Sequence, residues 1–111
     1  KMSNLTTQPV DLYALRPAGS ETDQALTVDA TAGGVQFAAW GPRATHIFYT
    51  VADGPCRFTL DDSAPTATNG HLLYDKDSGV FPRSWFAAAK FIRTAATDAV
   101  IHASPLTESG S

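Results

Sequence analysis

The residues best equipped for chemistry are three histidines (His46, His71 and His102), two candidate nucleophiles (Ser63 and Ser84), and the clustered oxygens of Asp61, Asp62, Ser63 and Asn69. Histidine serves as acid, base or metal ligand, but short zinc motifs need ligands a few residues apart. These three lie far apart, within or beside alternating segments, and read as polar residues of a sheet face or rim. Neither serine stands in a Gly-x-Ser-x-Gly turn, the context that strains and exposes a hydrolase nucleophile, and no phosphate-cradling glycine loop occurs. The oxygens at 61–69, like those of Asp75 and Asp77, suit calcium, yet the same residues stabilise turns without an ion, and that is the role assigned to them. Trp40 and Trp85 with Tyr13, Tyr49 and Tyr74 could line a sugar platform; packing in a core or interface is the commoner use of such rings. Cys56 is the only cysteine, so no internal disulfide or multi-cysteine metal site can form, and on the apolar face of a strand it reads as a small buried hydrophobe. No enzyme activity and no cofactor are expected.

Composition narrows the classes further. At 111 residues and 11.7 kDa the chain is sized for one domain with one core. It is 43% apolar and 17% charged, with a net charge of −3 and scattered basic residues, which gives no electrostatic footprint for nucleic acid or an anionic membrane. No apolar run approaches the length of a spanning helix, and the N-terminal residues lack the basic-then-apolar order of a signal peptide.

The elements that must position these residues are short strands. Cys56-Arg57-Phe58-Thr59-Leu60 alternates, with Cys56, Phe58 and Leu60 on one face. Residues 61–70 carry Asp, Ser, Pro65 and Asn69-Gly70, the strongest turn formers, and Leu72-Leu73-Tyr74 resumes the sheet. At this length the loop is expected to arch between sheets or to cross the rim. Further strands are expected at Val10–Leu15, Ala25–Asp29, Phe91–Thr94 and Ala99–Ser104, and Val35–Trp40 is expected to pair with Thr45–Val51 as a hairpin. The piece Arg83–Lys90 reads as one helical turn or irregular chain. About eight strands with turn formers between them predict an all-β fold, an antiparallel β-sandwich or a jelly-roll-like small barrel. Its core is expected to hold Phe37, Ile47, Tyr49, Phe58, Leu60, Leu72, Phe91 and Ile101. Residues 1–9 are polar and aperiodic and read as a flexible arm, residues 10–105 as the domain, and residues 106–111 as a tail.

The run Arg57-Phe58-Thr59-Leu60-Asp61-Asp62-Ser63-Ala64-Pro65-Thr66, followed by Asn69-Gly70-His71-Leu72-Leu73 and later by Phe91-Ile92-Arg93-Thr94, resembles small structural proteins of tailed bacteriophages. Their pattern is close to R-V-T-x-D-G-S-x-P-T-x-x-x-G-x-x-L. The resemblance covers about residues 35 to 104 and departs at Asp62, where the pattern has Gly. It implies a non-enzymatic virion protein, made in the host cytoplasm, that decorates or cements the capsid surface by binding the lattice of major capsid protein. A homo-oligomer, a trimer first, would suit the symmetric sites of a capsid. Contacts with the coat are expected from the arm at Ser3, Asn4, Leu5 and Thr6 and from Pro65, Thr66 and Thr68 at the rim. The D-G-S-x-P-T core also occurs in β-sandwich modules appended to glycosidases, so a carbohydrate-binding module is the alternative. Genomic neighbourhood separates the two: capsid, portal or protease genes nearby support the first, and fusion to a glycoside hydrolase supports the second.

Overall fold

The structure is a computed structural model and describes residues 15–19 and 21–108. In chain order it contains β1 (Leu15–Pro17), β2 (Gln24–Val28), β3 (His46–Ala52), β4 (Cys56–Thr59), β5 (His71–Leu73), β6 (Ser78–Pro82), α1 (Arg83–Ala88), β7 (Lys90–Arg93) and β8 (Ala99–Glu108). Two antiparallel sheets pack face to face as a β-sandwich, not a closed barrel. The larger has the order β1-β8-β3-β6 with β2 also paired to β8, and the smaller has the order β5-β4-β7.

The alternation of β3 and β8 decides which face is buried. Ile47, Tyr49 and Val51 point inward beside Ala99, Ile101, Ala103 and Pro105, and each of these is buried. β8 runs straight through Pro105 to Glu108, so Leu106–Glu108, assigned above to a tail, are strand residues that pair with β1. Along its other side β8 faces an interrupted edge. From Pro17 to Gln24 the edge advances seven residues while β8 advances three, from Leu106 to Ala103. The surplus loops out opposite Pro105, a residue with no N–H to give a ladder, and Ala18 N–H bonds the Pro105 carbonyl at 3.0 Å.

The expected hairpin of Val35–Trp40 with Thr45–Val51 does not form. β3 pairs with β6 and β8, and only Val35 makes a bridge, to Phe91. Side chains take the place of a ladder over the rest of the segment. The Gln24 amide bonds both polar groups of Ala38, at 3.0 and 3.2 Å. The Glu21 carboxylate accepts from Gly41 N–H at 3.0 Å and Arg43 N–H at 3.3 Å. A Cβ at Gly41 would strike that carboxylate, which is why glycine fits there.

The core forms where α1 lies over the gap between sheets. Phe86, 1% exposed, stacks on Phe37 at 5.2 Å and meets Phe91 edge-on at 5.7 Å, with Tyr49 and Phe81 beside it. Phe37, Ile47, Tyr49, Phe58, Phe91 and Ile101 are buried as expected. Leu60 is only half-buried, and Leu73, not Leu72, enters the core. The pairing of Cys56 with Leu73 puts Leu73 on the Cys56 face and turns Leu72 outward beside Arg57.

Candidate partner-binding surface

The 61–70 loop closes a hairpin within one sheet, since β4 pairs directly with β5, so it neither arches to the other sheet nor crosses between them. Many of its polar groups are satisfied within the loop or by the strands beside it. Asp61 accepts from the Ser63 hydroxyl and backbone N–H, and these bonds, side chain first, hold its carboxyl below the usual carboxylate range. Asp62 pairs with Lys90 at 2.8 Å, Thr59 Oγ1 donates to the Ser63 carbonyl, and Arg57 donates to the carbonyls of Ala67 and Gly70. Asp62 has φ +71°, the left-handed conformation that glycine adopts most freely and aspartate tolerates.

Thr66 and Thr68 are exposed at the rim as expected, whereas Pro65 is buried and has no displayed ring. Its Cδ lies where a Cβ on Gly34 would stand at 3.2 Å, so it anchors the loop against the chain that bridges β7. Ser3, Asn4, Leu5 and Thr6 lie outside the described residues, as do Tyr13 and most of the expected strand at 10–15.

The structure does not bring the three histidines together. His46 and His102 sit on the outer face of the larger sheet, and His71 sits on β5 with its ring 5.3 Å from Phe58. Among the described residues no group of three metal-ligating side chains is brought together. Nor do the four described aromatics of that set make one platform: Tyr49 is core, Trp40 is half-buried against Phe37, and Tyr74 at 62% and Trp85 at 43% are exposed. Asp77 caps its own turn by accepting from Tyr74 N–H at 2.8 Å.

Among the described residues, two surfaces stand out as uncovered. The first is the outer face of the larger sheet. Opposite the buried Ile47, Tyr49 and Val51, strand β3 presents His46, Phe48, Thr50 and Ala52, with Phe48 41% exposed. The registers place Val80 and Ser104 on either side of Phe48, and Pro82 and Leu106 on either side of His46. On β2, Ala25 and Thr27 continue the face beside His102 and Val100. From Val100 to Leu106 along β8 this face holds no Lys, Arg, Asp or Glu; Glu108, at the strand's end, is the first charged side chain in that register. A sheet face turned to water ordinarily alternates polar and charged residues, and nothing in the composition alone signals that these strands do not.

The second is an apolar groove of about 320 Å³ between β5 and β6, strands that no other described strand joins, lined by Phe58, Leu60, His71, Leu72, Leu73, Phe81 and Trp85. The opposite edge of the small sheet is better covered, because Phe91 of β7 exchanges backbone bonds with Val35 and Arg93 N–H donates to the Asp29 carbonyl. No helix among the described residues is long and apolar enough to cross a membrane. No family model matches the chain, and neither the curated proteins nor the solved structures hold a match.

Proposed function

We propose that the chain is a non-enzymatic structural protein of a tailed-phage virion, which binds the lattice of major capsid protein and reinforces it. One structural observation carries this reading: between Val100 and Leu106 of β8 the outer face of the five-stranded sheet holds no Lys, Arg, Asp or Glu and is centred on the half-exposed Phe48. A neutral face with an exposed aromatic ring at its centre suits association with a protein surface of like character. An uncharged coat patch would be covered without stranding an ion. The polar arm at Ser3, Asn4, Leu5 and Thr6 and the rim threonines Thr66 and Thr68 supply secondary contacts, while Pro65 acts behind the rim by fixing the loop.

The test is Phe48→Asp on capsids assembled without this protein. An exposed side chain can be changed with little effect on the fold, about 0.5 kcal/mol, but a charge in the centre of the contact should weaken capsid binding by about tenfold or more. Capsid occupancy equal to that of the parent chain would end the coat-binding reading. The carbohydrate alternative draws on one observation, the exposed Trp85 over the groove. It predicts polysaccharide retention that Trp85→Ala abolishes and Phe48→Asp leaves intact.

A further inference from the structure

Asn69 and Gly70 form the one Asn-Gly step of the chain, and the other asparagine, Asn4, precedes the bulky Leu5. The fold requires glycine at position 70. Its φ is +130°, a conformation that side chains rarely adopt, and a Cβ there would stand 3.0 Å from the Phe58 carbonyl oxygen. The residue after Asn69 therefore has no side chain to shield its backbone nitrogen.

Asn69 is tied by its backbone and loose in its side chain. Its N–H and C=O exchange bonds with Thr66, at 3.3 and 3.0 Å. Its carboxamide is exposed and bonds no group among the described residues, and Gly70 N–H donates to none of them. The neighbouring groups are engaged: Asp61 accepts from Ser63, Thr59 donates to the Ser63 carbonyl, and Arg57 donates to the Gly70 carbonyl at 2.8 Å. An unengaged carboxamide is thus tethered one residue before an unengaged nitrogen, and tethering of this kind replaces a bimolecular encounter.

We infer that Asn69 is a self-modification site, where the Gly70 nitrogen attacks the Asn69 side-chain carbonyl and the loop passes, without an enzyme, to an aspartyl or isoaspartyl form. The bond that forms joins Gly70 N to Asn69 Cγ. The bond that breaks is Cγ to Nδ2, and ammonia leaves with the proton of the Gly70 N–H. Water then opens the cyclic imide. Cleavage between Gly70 N and Cγ yields aspartate; cleavage between Gly70 N and the main-chain carbonyl carbon yields isoaspartate, whose backbone runs through Cβ and Cγ and is a methylene longer. Either product adds one negative charge to the formal −3. Aspartate leaves the backbone as it was. In isoaspartate the carbonyl that accepts from Thr66 N–H becomes a free carboxylate, and the extra methylene displaces Gly70 from Arg57. The loop that displays Thr66 and Thr68 therefore changes with age, in one direction only.

This site does not depend on the coat-binding reading. Its test keeps the folded full chain in warm, mildly alkaline buffer beside a sample unfolded in urea, and follows the tryptic peptides 58–76 and 2–43 by mass spectrometry. In the folded chain peptide 58–76 should gain the mass of an amide-to-acid change and split into two chromatographic forms. It should convert at least about tenfold faster than peptide 2–43, because a two-bond bridge at a loop tip opens locally at little cost. Asn69→Gln, which would have to close a larger ring, should keep the circular dichroism of the parent and stay unconverted. The isolated isoaspartyl chain should melt below the parent, and Asn69→Asp close to it. Conversion in urea but not in the folded chain, like rates for the two peptides, or equal conversion in Asn69→Gln would each overturn the inference, and an isoaspartyl chain that melts with Asn69→Asp would overturn its structural consequence.

Discussion

Cys56 is fully buried on β4, and that burial, with the nearby charge of Asp77, pushes its thiol up to about 12 from 9.0. The folded protein thus holds the thiol proton more tightly than the unfolded chain does. The resulting stabilisation is complete below about pH 9 and is lost as pH rises towards 12, amounting to at most about 4 kcal/mol. The expected outcome is a urea midpoint that falls more steeply between about pH 8 and about pH 11 in the parent than in Cys56→Ala. The thiol should also react with a maleimide only after unfolding. The position of Cys56 on a buried face could be read from its alternation with Phe58. Pro65 could not: turn chemistry identifies a proline in a loop, but whether its ring faces water depends on Gly34, some thirty positions away. The same holds for Leu72 and Leu73, two adjacent leucines whose facing is decided only by the pairing of β5 with Cys56.

At the scale of elements, strands were legible where apolar residues alternate, as in β3 and β4, and illegible where partners decide. Val35–Trp40 alternates well yet forms no ladder: the Gln24 side chain takes both polar groups of Ala38, and Glu21 holds the turn that follows at Gly41 and Arg43, partners that no local pattern reveals. Proline misled in the other direction, since Pro105 stops neither β8 nor its pairing with Ile47. Leu106–Glu108 therefore carry structure: they pair with β1, and the Leu106 carbonyl accepts from Thr45 N–H at 2.8 Å. Deleting residues 106–111 should lower stability by at least about 2 kcal/mol, a fall in melting temperature of about 8 °C in a domain of this size. A melting curve unchanged by the deletion would return these residues to the status of a tail. The uncharged outer face was hidden for a related reason. Each strand shows a few neutral residues on one side, and only the registers of β2, β3, β6 and β8 join them into a patch.

For the molecule as a whole, the ring of Phe86 helps to join the two sheets. Phe86 touches Tyr49 on β3 and Phe91 on β7, from a six-residue helix that has no side-chain cap of its own. A helix this short is held by its packing, not by its propensity. Phe86→Ala should cost about 3 to 5 kcal/mol by denaturant titration, through the lost apolar contact and the cavity left behind. A cost below about 1 kcal/mol would mean the sheets are held together elsewhere. The two-layer architecture followed from strand count and turn spacing; the strand order did not, because it places β8, the last strand, between the first two and β3. That order has a consequence for biosynthesis. Every other strand of the larger sheet is translated before the one that joins them, so a nascent chain cannot complete this sheet until Glu108 has cleared the ribosome. Domains commonly fold as units during synthesis, and this sheet can do so only after its joining strand β8 has been made. Prematurely terminated chains would then remain unfolded, exposed to chaperones and proteases, instead of joining an assembly as defective parts.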